Sequence, residues 1–220
     1  MKDKFAERSF MELMEKHTQE DKSTLVQQGI SMGMDYEKYR DLVHHLVEIG
    51  QTTGHLKTEA NVHYTQLNDR RMKRWDKTFS IPEVIQEKIA RLESQFQFLA
   101  ITESWCGDAA HSMPIVNKIA ELNPNIDYKI VLRDEVPEIM DTFLTNEARS
   151  IPKVILWDKT NGEIVGEWGP RPRVATEMVE AYKKEHGKLT PEFKQDLQVW
   201  YNKDKGEGIL KDILDLLPLE

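Results

Sequence analysis

Apolar residues recur along this chain with two different periods, and the places where the period changes divide it into elements. Phe96-Gln97-Phe98-Leu99-Ala100-Ile101 is a short apolar run bounded by polar residues, which predicts a buried strand. Directly after it, Ala109, Ala110, Met113, Val116, Ile119, Ala120 and Leu122 return at helical spacing, so a strand hands over to a helix near residue 106. Asn123-Pro124-Asn125 marks a turn, Asp127 to Arg133 reads as a second strand and Val136 to Leu144 as a helix. Lys153 to Trp157 and Glu163 to Trp168 are two further strands. Asn161-Gly162 between them is a strong hairpin signal, and a helix follows from about Val174 to Lys184. The strand–helix–strand alternation at the start of this region implies a parallel crossover.

The flanks read as helical. Phe10, Leu13 and Met14, and later Tyr36, Tyr39, Leu42, Val43, Leu46, Val47 and Ile49, fall at three- and four-residue spacings. Gln28 to Met34 carries two glycines and separates the first helix from the second, which Gly50 to Gly54 ends. Another helix is predicted from Glu59 to Lys77, with Val62, Leu67, Met72 and Trp75 on or near one face. Ser80-Ile81-Pro82-Glu83 starts the next, with Ser80 as its N-cap and Val84, Ile85, Ile89 and Leu92 as its apolar stripe. Beyond the last strand–helix pair, Thr190-Pro191-Glu192 resembles a helix start and Ile209 to Leu217 a short apolar helix. No internal repeat is visible. The division is a helical N-terminal extension over 1–80, an α/β unit over 81–187 and a helical C-terminal tail over 188–220.

Charge and cysteine content narrow the function classes. A formal net charge of −8 argues against binding a nucleic-acid backbone. The first residues, Met1 to Arg8, lack the apolar run of a signal peptide, and no stretch reaches membrane-spanning length. Cys106 is the only cysteine in 220 residues, so no intramolecular disulfide can form. A reducing, cytoplasmic setting is the expectation.

The chemistry-bearing residues gather where the first strand meets its helix. A thiolate at Cys106 would face unpaired backbone N–H groups and the positive end of the helix dipole, which lowers a thiol pKa. Asp108 works against this by placing a carboxylate two residues away; helix capping is the favoured role over proton transfer. His111, five residues past Cys106, is poorly aligned with it and is expected on the surface. His44, His45, His55 and His63 lack the cysteine or carboxylate spacing of a metal site and are expected on helix surfaces; no metal is assigned.

Trp105-Cys106-Gly107 resembles the active-site turn of thioredoxins, where Trp-Cys-Gly-Pro-Cys stands between a strand and a helix. Asp108 replaces the family's proline and Ala109 its second cysteine, while Pro114 matches the proline of the active-site helix. Ile151-Pro152 before the Val154 strand is similar to the family's cis-proline, which packs against the reactive sulfur. Ala100 stands where thioredoxins hold a buried aspartate. Loss of that acid together with the second thiol is self-consistent. The whole stretch, with Arg149 before the proline and Arg171 and Arg173 after the last strand, resembles a bacterial thioredoxin-like group with one active-site cysteine.

The resemblance implies a four-stranded mixed sheet flanked by helices, with Cys106 and Pro152 as the catalytic positions, the thiol and the cis-proline packed against it. Trp105, Gly107, Asp108, Ile151 and Arg149 would support them. Arg149 could stabilise the thiolate or bind an anion, or be solvated surface charge. A dithiol site resolves its mixed disulfide internally; here Ala109 forces an external thiol to do so. The chemistry implied is monothiol exchange or reversible thiol modification, with a low-molecular-weight thiol as co-substrate, a low-molecular-weight thiol or protein disulfide as partner, and no resident cofactor. The competing reading is a non-catalytic binding module that docks a partner protein. Glu103 and Asp108-Ala109 disfavour the peroxiredoxin and cluster-binding glutaredoxin patterns.

Overall fold

The computed structural model describes residues 19–219. The Phe10, Leu13 and Met14 positions of the first expected helix lie outside the described residues. In chain order the elements are α1 (19–32), α2 (Tyr36–Glu48), α3 (Glu59–Thr78), α4 (Glu83–Ala90), β1 (Phe96–Thr102), α5 (Ala109–Ala120) and β2 (Ile126–Leu132). They continue with α6 (Pro137–Thr142), β3 (Lys153–Asp158), β4 (Glu163–Trp168), α7 (Arg173–His186), α8 (Pro191–Asp204) and α9 (Glu207–Leu214).

The strands form one mixed sheet in the order β2-β1-β3-β4. β1 runs parallel to β2, from Phe96 opposite Ile126 to Thr102 opposite Leu132, and antiparallel to β3. β3 and β4 are an antiparallel pair closed by the Asn161-Gly162 turn. All seven residues of β1 are buried, as expected of a central strand covered on both faces. β4, at the edge, alternates exposed and half-buried positions up to Trp168. The opposite edge is capped by Met34, whose backbone exchanges two 2.9 Å hydrogen bonds with Ile130 and leaves less of β2 open to a foreign strand. Among the described residues no helix is long and apolar enough to cross a membrane.

The helices before and after the sheet share its core. Tyr39 and Val43 of α2, Met72 and Trp75 of α3, Leu197 and Tyr201 of α8 and Ile209 and Ile213 of α9 belong to the same buried cluster as Phe98, Leu99 and Ile101. α1 lies so close to the sheet that a Cβ on Gly29 would stand 2.7 Å from a Leu99 methyl. That glycine therefore serves packing as well as the break before α2. Two helices begin as their sequences predict. The Thr58 and Thr190 hydroxyls accept from Asn61 N and Phe193 N, and Pro191 occupies the first turn of α8.

Three local expectations need correction. α4 starts at Glu83 with Pro82 at its N-cap and no side-chain cap, so Ser80 is not its cap; Val84 is 67% exposed and outside its apolar stripe. α3 buries Thr65, Asn68, Asp69, Met72 and Trp75, whereas Val62 and Leu67 are only half-buried. Its inward face is polar because it packs on a backbone turn that needs hydrogen bonds. The 136–144 helix is shorter than expected, a single 3₁₀ turn over Arg133–Glu135 preceding α6.

Candidate functional site

The residues between β1 and α5 form a turn that other elements hold in place. The Ser104 hydroxyl lies within hydrogen-bond reach of the Thr52, Thr53 and Thr65 hydroxyls at 2.8–3.2 Å, and Ser104 N donates to Thr53 Oγ1 at 2.8 Å. From α3, Asn68 Nδ2 donates to Ser104 O at 2.8 Å. All of these groups are buried and hydrogen-bonded, so the turn is tightly specified. Cys106 N then donates to Glu103 O at 3.0 Å, and Ala110 N closes back on Cys106 O at 3.2 Å. The sulfur stands just ahead of α5, three residues before Ala109.

Its immediate neighbour is the loop before β3. Cys106 Sγ donates to Ile151 O at 3.3 Å, and the Ile151–Pro152 peptide bond is cis. The thiol is 6% exposed. Burial pushes its pKa up to about 12, the Asp108 carboxylate adding to the rise, while the Ala109 and Asp108 N–H groups and the Arg171 charge oppose it. This corrects the expectation of a lowered pKa. A helix N-terminus offers up to about 1 kcal/mol at an exposed site, whereas full burial can shift a group by about 3–5 pKa units. Burial wins here.

Asp108 occupies the N-cap position of α5, but its backbone is helical and its side chain makes no capping bond, against expectation. The carboxylate faces the C-terminal half of the chain instead, 2.7 Å from Arg171 Nη2 and accepting from Tyr201 Oη at 2.9 Å. Burial raises its pKa; Arg171 and Tyr201 hold it down. Asp108 is thus the counter-ion of a half-buried arginine. Asp108→Asn removes the nearest negative charge from the thiol and leaves Arg171 free to face it. Cys106 in that variant is expected to react with iodoacetamide at least about tenfold faster than wild type at pH 8, one pKa unit corresponding to about 1.4 kcal/mol. Equal rates would show that Asp108 does not govern the thiol.

His111 is also misplaced by sequence reasoning: it is 1% exposed. Trp75 Nε1 donates to Nδ1 at 2.9 Å, which puts the ring proton on Nε2, where it meets Gln198 Oε1 at 2.7 Å. The imidazole stacks on Tyr201 with centroids 4.2 Å apart and planes 6° from parallel. Burial pushes its pKa down to about 3. His111 is a neutral strut between α3, α5 and α8.

Arg149 reaches the rim beside Ile151, yet its guanidinium makes a bidentate pair with Asp141, both bonds 2.6 Å. Trp105 is half-buried under the Arg133 guanidinium, 5.0 Å from ring centre. Gly107 is flanked by Arg71 and Gln198: a Cβ there would meet them at 3.6 and 3.7 Å. Among the described residues no group of three or more His, Cys, Asp or Glu side chains is placed to hold a metal, and His44 and His45 stand near Glu48.

Trp105, Cys106, Gly107, Asp108, Arg149 and Ile151 all border one cleft of about 720 Å³, while Pro152 is buried behind Ile151. The far walls come from residues that sequence reasoning did not connect with the site. Arg71 projects from α3, and Lys183, Lys194 and Gln198 from α7 and α8. Nothing in the local pattern marks them, since surface lysines and arginines on amphipathic helices are ordinary. Tyr201 and Gln198 carry a weak signal, as polar groups on a face otherwise apolar.

No curated protein sequence matches this chain significantly. Two solved structures share the fold. A protein of unknown function from Pseudomonas aeruginosa is 18% identical, with a TM-score of 0.58 over 86% of this chain and 94% of that one. An HIV 4E10 epitope-scaffold protein is 17% identical, with a TM-score of 0.57 over 86% and 95% of the two chains. At such identities the likeness shows fold alone. The sequence model of Thioredoxin_9, described as thioredoxin, matches residues 55–183. That is more than half of the chain and spans the whole sheet with the Cys106 turn, so this protein belongs to that thioredoxin family.

Proposed function

We propose that the protein is a cytoplasmic single-cysteine member of the bacterial thioredoxin-like proteins that performs monothiol exchange, or carries a reversible thiol modification, at Cys106. The observation that carries this reading is the placement of Cys106 Sγ 3.3 Å from Ile151 O at the edge of an open cleft. A cysteine sealed within the core would line no cleft. The raised pKa sets the terms: at neutral pH the resting thiol is protonated, so exchange is slow until the site's electrostatics change or the pH rises. Ala109 leaves no second thiol for resolution, so the mixed disulfide persists until an external thiol arrives.

The test uses the full chain. Incubated with oxidised glutathione at pH 8 to 9, it is expected to gain one glutathionyl group at Cys106 by intact-mass measurement. Excess dithiothreitol should remove that group, and Cys106→Ser should gain none. A folded protein that stays unmodified while the urea-unfolded chain is fully labelled would reject the proposal. That outcome supports the second reading, a non-catalytic binding module, which the burial of the thiol favours.

A further inference from the structure

The walls of the Cys106 cleft are cationic although the chain as a whole carries −8. Arg71, Arg133, Arg149, Arg171, Lys183 and Lys194 line it, against one carboxylate, Asp108. Three of the six have their charge answered, Arg133 by Asp134, Arg149 by Asp141 and Arg171 by Asp108. Among the described residues Arg71, Lys183 and Lys194 have no carboxylate partner, and Arg71 donates only to the neutral Asn68 amide at 2.8 Å. Its pKa is lowered, chiefly by burial and also by the charge of Arg74, with Tyr64 and the more distant Asp108 carboxylate opposing the shift. Arg171 Nε is buried without a hydrogen-bond partner.

Arg71 is half-buried and Lys183 and Lys194 are exposed; unanswered cations that line one cleft repel one another and are stabilised when an anion arrives. The walls also set size. α3 and the α7–α8 segment both contribute walls to the cleft that Cys106 borders, and its volume of about 720 Å³ suits a small molecule. Neither wall belongs to the strand–turn–helix that carries the cysteine.

We propose that the cleft selects an anionic low-molecular-weight disulfide or thiol, its carboxylates or phosphates taken by Arg71, Lys183 and Lys194, with the Arg171 Nε–H as a further donor. This rests on the exchange reading and names its substrate class. The thiolate of Cys106, its proton released to solvent, attacks one sulfur of the ligand disulfide RSSR. The Cys106–S bond forms, the S–S bond breaks, and RS⁻ leaves and takes up a proton as RSH. A second thiol of the same class attacks the mixed disulfide, regenerates the Cys106 thiol and carries RSSR′ away.

The experiment compares disulfides of differing charge. Rates of mixed-disulfide formation are measured for oxidised glutathione (carboxylates), coenzyme A disulfide (phosphates), neutral bis(2-hydroxyethyl) disulfide and cationic cystamine. Each is divided by its rate with the urea-unfolded chain. At least one anionic reagent is expected to exceed cystamine by about tenfold or more at low salt, the excess shrinking as salt screens the charges. Arg71→Gln and Lys194→Gln should each cut the ratio of anionic to neutral reagent rates several-fold; Lys194 is exposed, so its variant keeps the fold. Equal normalised rates for all four reagents, or faster reaction with the disulfides of insulin than with either anionic reagent, would overturn the proposal. S-Methylglutathione, which cannot exchange, separates the two ideas. Salt-sensitive binding to Cys106→Ser, with no disulfide reacting, would sink the exchange reading but leave the anion site standing. Absence of binding by S-methylglutathione and by coenzyme A would remove the anion site.

Discussion

Gly169→Ala is expected to destabilise the protein by about 3 kcal/mol or more, combining overpacking with a positive-φ backbone. Gly169 follows β4 with φ +124, and a Cβ there would stand 2.1 Å from Pro152 O, 3.1 Å from Pro152 C and 3.3 Å from Lys153 Cα. All three obstacles are backbone, so no side chain can rotate away. β3 and β4 are tied together one residue further on, where Val154 pairs with Trp168. The clash therefore falls on the segment whose Ile151 carbonyl accepts from the Cys106 thiol. Two readouts should move together: the urea midpoint falls, and Cys106 becomes more readily alkylated in the native state. Gly187→Ala is the control, with φ +76 but nothing within 4 Å of the added carbon, and should cost only about 1–2 kcal/mol for its backbone. If Gly169→Ala loses no more than Gly187→Ala, the loop is not packed as described.

Acid should weaken the fold through His111. Its pKa is about 3 in the folded chain, against a model-peptide value of 6.5. Between those values the unfolded chain binds one more proton than the folded one, so the stabilisation present above pH 6.5 is lost as pH falls toward 3. The whole window is worth on the order of 5 kcal/mol at about 1.4 kcal/mol per pH unit. Carboxylates contribute to acid unfolding as well, so the informative quantity is the difference between wild type and His111→Gln. The variant should begin less stable, having lost the Tyr201 stack, and its deficit should narrow as pH falls from about 6.5 to about 4. Parallel stability curves over that range would show that His111 is accessible and titrates normally.

The turn around Cys106 was readable because its pattern is local. An apolar strand, a Trp-Cys-Gly turn and a small-residue helix start lie within one continuous stretch, Phe96 to Ala110, and each imposes its conformation on its neighbours. The parallel β1–β2 pair and the β3–β4 hairpin followed from the same local patterns, whereas the seating of β3 beside β1 is seen only in the folded sheet. Arg149 stands beside the proline loop by sequence adjacency alone, which leaves its role open. Whether a guanidinium faces a sulfur or a carboxylate depends on Asp141, eight residues away near the end of α6.

By itself the sequence determined the thioredoxin-type sheet, the position of one thiol at a strand-to-helix turn, and the absence of a second thiol to finish an exchange. Tertiary structure alone decided the character of that thiol. The pKa of Cys106, the pairing of Asp108 with Arg171 and Tyr201, the neutrality of His111 and the cationic walls of the cleft all depend on contacts between residues 36 to 93 positions apart or on the burial those contacts create. Desolvation and charge act through space with strengths set by distance and local dielectric, and neither quantity is written in the spacing of residues along a chain.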